Sequence, residues 1–202
     1  STSKWGGYMA ITFEINWVCS KLVDLEFLFH KTSMSALGIT IKKISSMENW
    51  CWENSSIIFD ITTVQERINA GKIVNIELNS SVTGNSGIFI EKNNNCYEYC
   101  FWVKVEDGHD VNEFGITPEN KLYLQKIYDV FVAYNMHHDV NVLILGMGFE
   151  TTFCYDGDFG GTISKSNNII VWIVSNSLES QFSLSDFTRS EVFTNYVAFE
   201  KR

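Results

Sequence analysis

IVNIEL at 73–78 and GIFIEKNNNCYEYCFWVKV at 87–105 are the stretches whose reading decides the fold. In the first, apolar and polar residues alternate strictly, which is the period of a strand with one face buried. In the second, Gly87 to Glu91 and Tyr97 to Val105 are strand-like runs separated by Asn93-Asn94-Asn95. Asn side chains tolerate the left-handed backbone that a tight connection requires. The three segments therefore predict a meander ending in a hairpin, and with it an antiparallel sheet.

Working toward the N-terminus, Thr63-Val64-Gln65-Glu66 has the spacing of a capping box and Gly71 suits a helix stop, which predicts a short helix of two turns. Before it, Ile57 to Ile61 (IIFDI) reads as a strand, and a Trp50-Cys51-Trp52 cluster precedes that. Gly38 to Ile44 (GITIKKI) and Ile11 to Asn16 (ITFEIN) are further strands. Lys21 to His30 is apolar enough for a buried helix or a strand, and helix is favoured. Residues 1–8 are expected to be either a cloning remnant, with Met9 as the natural start, or a disordered segment, and a chain trimmed from something longer is the alternative.

Toward the C-terminus, Thr117-Pro118-Glu119 supplies a cap, a proline at the first helical position and an acid in the first turn. An amphipathic helix is predicted from there to about Asn135, with Leu124, Ile127, Tyr128, Phe131 and Tyr134 in one apolar stripe. Val140 to Leu145 and Ile169 to Val174 are continuous apolar strands of the buried kind. Asp156 to Asn168 reads as a polar, Gly-rich loop. In the tail, Val192, Phe193, Tyr196, Val197 and Phe199 fit a helical stripe better than alternation. The expected architecture is α+β: a single domain over 9–202, with a mostly antiparallel mixed sheet and the helix at about 118–135 packed on it. Two lobes splitting near 80–85 are the alternative.

The chain has 202 residues, of which 45% are hydrophobic and 14% aromatic, enough for a large core without staples. Its net charge of −9 argues against direct nucleic-acid binding, which draws on clustered Lys and Arg. A basic protein is the better electrostatic partner. No apolar run reaches the roughly 20 residues of a spanning helix. Five scattered cysteines, an odd number, suit reduced thiols and a cytoplasmic protein. Cys96 and Cys100, four apart on one strand, are read as small core residues.

No catalytic signature emerges. Cys154 and His109 could form a nucleophile and base, but nothing in their spacing supports it. His137-His138-Asp139 and the acids around His109 do not converge in a metal-ligand pattern. Asp156-Gly157-Asp158-Phe159-Gly160-Gly161 lacks the distal ligands of a calcium loop. Gly146-Met147-Gly148 lacks the third glycine of a dinucleotide turn, so its glycines are read as letting a strand bend or pack closely. No cofactor, metal or catalytic residue is expected.

Acids and aromatics do recur together. Glu106, Asp107, Asp110 and Glu113 lie near Trp102 and Phe114, and Asp156 and Asp158 near Tyr155 and Phe159. These ten residues form the candidate partner-binding set, an acidic rim with aromatic anchors.

The segments at 87–105, 121–135 (KLYLQKIYDVFVAYN) and 140–153 (VNVLILGMGFETTF) together resemble a pattern found in bacterial immunity proteins of polymorphic or contact-dependent toxin systems. The resemblance covers about half the chain and rests on fold-pattern residues. It implies a cytoplasmic protein that neutralises one cognate toxin by tight binding, without enzymatic activity, and it assigns no individual residue a role. A small-molecule or peptide binding module is the alternative, and an enzyme of unrecognised type ranks third.

Overall fold

The computed structural model describes residues 11–22, 39–80, 84–105, 142–155, 157–182, 185–193 and 196–202. In chain order these form β1 (Ile11–Cys19), β2 (Ile39–Met47), β3 (Ser56–Ile58), α1 (Ile61–Asn69), β4 (Ile73–Ser80), β5 (Gly84–Asn93) and β6 (Cys96–Val105). There follow β7 (Val142–Phe149), α2 (Phe159–Lys165), β8 (Val171–Ser175), a 3-10 turn (Asn176–Gln181), β9 (Phe187–Phe193) and β10 (Tyr196–Lys201). All ten strands join one sheet in the order β3-β2-β4-β5-β6-β1-β7-β8-β10-β9. Every pairing in it is antiparallel.

The meander is as its alternation predicts. Ile76 opposes Ile88 and Ile88 opposes Phe101, so one face of β4, β5 and β6 is apolar in register. Asn94 takes φ 54° at the β5–β6 turn, the left-handed position for which Asn is suited. β1 is inserted beside β6 and pairs with β7 on its other side, which makes it an interior strand. Its Phe13, Ile15, Trp17 and Cys19 all point into the main core.

That core continues through Leu145, Met147 and Phe149 of β7, Ile173 of β8 and Ala198 of β10. Helix α1 covers part of it with Val64 and Ile68, one turn apart on a single helix face. A second cluster occupies the opposite face toward the β10 side: Val18, Ile144, Trp172, Val174, Val197 and Phe199. Tyr155, Phe159 and Ile163 pack against it from the α2 region. Because β8 and β10 carry core on both faces, their residues bury in unbroken runs.

That double burial corrects the reading of the tail. Val197, Ala198 and Phe199 are consecutive and all buried, Ala198 toward one cluster and its neighbours toward the other. Alternation is erased, and what remains in the sequence imitates a helical stripe, whereas the tail is the β9–β10 pair. Helix α1 also begins earlier than the capping-box spacing predicts. Asp60, not Thr63, is the cap: its carboxylate accepts from the Thr63 backbone N–H at 2.8 Å and from the Thr63 hydroxyl at 2.6 Å. The strand predicted over Ile57 to Ile61 is correspondingly cut to Ser56–Ile58. Gly71, at φ +80°, does end the helix.

The loop expected over Asp156 to Asn168 contains α2, capped by Asp158, which accepts from the Gly161 N–H at 3.1 Å. The helices predicted over 21–30 and 118–135 lie outside the described residues, apart from Lys21 and Leu22, which are not helical. No helix among the described residues is long and apolar enough to cross a membrane.

The glycines of β7 pack closely, as their spacing suggested. A Cβ on Gly148 would stand 2.0 Å from the backbone oxygen of Asn168, a contact that only backbone movement relieves. Gly148→Ala is therefore expected to lower stability by about 1–3 kcal/mol, read as a shift in the urea unfolding midpoint. An unshifted midpoint would mean that the segment after α2 does not lie against β7.

Candidate functional site

Residues 48–59 connect β2 to α1 through β3, the outermost strand of the sheet. Asn49 organises the connection. Its side-chain oxygen accepts from the Cys51 N–H at 2.9 Å and its backbone oxygen from the Trp52 N–H at 3.1 Å, while its side-chain amide donates to Glu53 at 2.7 Å. Glu48 pairs with Lys72 and anchors the start of the loop to β4. The chain turns through φ 64° at Trp52 and φ 54° at Asn54. A bulky residue rarely adopts the first of these, and such strain tends to mark sites of function.

This loop presents two indoles. Trp50 meets Phe89 of β5 edge to face at 5.1 Å, and Trp52 meets the same ring at 6.3 Å. Phe89 in turn lies 6.1 Å from Trp102 of β6. Gly87 makes that row possible, because a Cβ there would stand 2.6 Å from the Trp102 ring. Trp50 and Trp52 remain 52% and 41% exposed, Ile57 56% and Phe59 91%. Among the described residues these four are the exposed large hydrophobic side chains, and they fall within ten positions of the connection between β2 and α1.

Carboxylates border the rings on the same sheet face. Glu91 follows Phe89 by two positions and stands directly opposite Glu98, an arrangement of like charges that destabilises the doubly ionised pair. Burial, and then the Glu91 charge, push Glu98 up to about 7 against the opposing hydrogen bond from Asn93. Burial also raises Glu91, offset by a hydrogen bond from the Trp50 indole. Two strands from β5, Glu14 of β1 is raised to about 7, chiefly by burial, although both the hydroxyl and the N–H of Thr151 donate to it.

These shifts set a pH dependence. An unfolded glutamate releases its proton near 4.5, whereas folded Glu14 and Glu98 hold theirs to about 7. The native state thus binds more protons between those values, so stability falls as pH rises through that window and levels above it. Urea midpoints measured from pH 5 to pH 8 are expected to decline. Glu14→Gln and Glu98→Gln should each flatten the decline, and a midpoint rising over that range would refute the assignment.

Of the ten residues expected from sequence to bind a partner, the four that are described, Trp102, Tyr155, Asp158 and Phe159, fall in two places. Trp102 belongs to the row of rings. Tyr155 lies 4.0 Å from the Cys96 sulfur and packs with Phe159 against the second core cluster. Cys96 is six residues from Trp102 along β6, about 20 Å, so Tyr155 and Trp102 do not share a patch. Asp158 is the exposed cap of α2. Glu106, Asp107, Asp110, Glu113, Phe114 and Asp156 lie outside the described residues, as do His109, His137 and His138. The signal for the site that the structure does form was the Trp50-Cys51-Trp52 triplet, set among Asn49, Glu53 and Asn54 rather than in an apolar run. Phe89, Glu91 and Glu98 carried no separate signal.

No family model matches the chain, and no curated protein or solved structure matches it.

Proposed function

We propose that this chain is an immunity protein, a cytoplasmic binding protein without catalysis of its own that neutralises a cognate, basic protein toxin. The observation that carries this reading is the exposure of Trp50, Trp52, Ile57 and Phe59, all within the one connection between β2 and α1. Exposed apolar clusters rimmed by polar groups mark interaction surfaces, and Trp is the residue most enriched at their energetic centres. The net charge of −9, together with Glu53 next to Trp52 in the chain and Glu91 against the Trp50 indole, favours a basic partner. Glu106, Asp107, Asp110 and Glu113, which follow β6 in sequence, are part of that net charge.

Co-expression with each protein encoded beside this one tests the reading. One neighbour is expected to arrest growth of a host, and this chain to relieve the arrest. A toxin-like neighbour whose arrest persists in the presence of this chain, or the lack of any growth-arresting neighbour, would overturn it.

A further inference from the structure

The geometry points to a cation-binding notch formed by Trp50, Trp52, Phe89 and Glu91, which takes a guanidinium or alkylammonium group, with an arginine side chain of the partner as its natural occupant. As the subsite of a partner-binding surface, it rests on the proposed function for its biological ligand but not for its chemistry. Trp50 and Trp52 meet Phe89 at interplanar angles of 68° and 75°, so the rings form walls and not a flat stack. Cations bind over aromatic faces of this kind, best of all over indole, and Arg does so more often than Lys.

The charged groups at the notch are carboxylates, and Glu91 also accepts from the Trp50 indole N–H. Glu91 lies beside Phe89 on the same face, with Glu98 behind it. Among the described residues neither carboxylate has a cationic partner: Lys72 pairs with Glu48, Arg189 with Glu179, and Lys92 lies over Tyr97. Asn75 stands directly opposite Phe89 across β4 and β5, and Ser45 directly opposite Asn75 across β2 and β4. Both are almost fully buried, and the Asn75 side-chain oxygen and the Ser45 hydroxyl have no hydrogen-bond partner among the described residues. Buried polar atoms of this kind are normally satisfied. A guanidinium, with five donors and no acceptor, matches a site made of a carboxylate, an amide oxygen and aromatic walls. A carboxylate or phosphate ligand would be repelled by Glu91 and Glu98.

The test is a titration of the purified protein at pH 8 with N-acetyl-arginine amide, followed by tryptophan fluorescence, with the neutral isostere N-acetyl-citrulline amide as control. Saturable quenching by the arginine probe is expected, with the citrulline probe at least tenfold weaker. Glu91→Gln, whose urea midpoint at pH 8 should not fall, should weaken the arginine probe at least fivefold, and Trp50→Leu should abolish saturation. No saturation, equal response to the two probes, or full affinity in Glu91→Gln would overturn the notch. Because no toxin enters this titration, a positive result alongside failed growth rescue would retain the notch and remove the toxin, and the converse would remove the notch alone.

Discussion

Trp17→Ala is expected to lower the unfolding free energy by about 3–5 kcal/mol, the range for removing a large aromatic from a packed core. Trp17 lies in β1, the strand joining the β2–β6 part of the sheet to the β7–β10 part. It is 1% exposed and stacked on Tyr99, its direct cross-strand partner, at 5.0 Å and 3°. On its other side it opposes Leu145. Alanine at this position leaves a void flanked by paired backbones on both sides, and strands held in register cannot move in to fill it. Trp17→Phe, which keeps a ring against Tyr99, should cost markedly less. Urea unfolding followed by circular dichroism checks both, and a loss under about 1 kcal/mol for Trp17→Ala would mean that β1 is not the interior strand.

Truncating the exposed aromatics should do the opposite: little to stability and much to binding. For a complex with the proposed toxin, Trp50→Ala or Trp52→Ala is expected to cost about 2–4 kcal/mol of affinity, the range for a central tryptophan at an interface. That is about a 30- to 1,000-fold rise in Kd. Phe59, at 91% exposure, contributes almost nothing to the free protein's core, so Phe59→Ser should leave the urea midpoint in place while weakening the complex. Raising salt from 50 to 500 mM should slow association through screening of the −9 charge. The dissociation rate should carry the effect of the tryptophans. Isothermal titration of each variant against the toxin measures the loss, and affinities unchanged in both tryptophan variants would place the interface elsewhere.

The half of the sheet built on the meander was legible because its strands keep one face in the main core and the other more polar, so period-two alternation survives in IVNIEL and Asn94 marks the turn. The strands near the C-terminus were less legible for the inverse reason. Val197 and Phe199 face one core and Ala198 the other, and burial on both faces removes the periodicity on which strand reading depends. Asp158 read as a free acid because the cap it provides depends on α2, whose FGGTISK sequence, with two glycines, gives little sign of a helix. The candidate site was only half legible. A tryptophan in a sequence is most often core, and what exposes Trp50 and Trp52 is the Asn49-centred turn and the position of β3 at the sheet edge. Neither property belongs to the tryptophans themselves. The opposition of Glu91 and Glu98 depends on the β5–β6 register, which the length of the Asn93–Asn95 connection sets but does not announce.

The central claim, that this protein acts by binding through the exposed residues between Trp50 and Phe59, is tested most directly by hydroxyl-radical footprinting of the free protein and of its complex with the proposed toxin, read residue by residue by mass spectrometry. Labelling of Trp50, Trp52 and Phe59 is expected to fall at least fivefold on complex formation, with Phe182 and Phe187, toward the opposite end of the sheet, unchanged. A complex that forms while these three aromatics label as in the free protein would contradict the account.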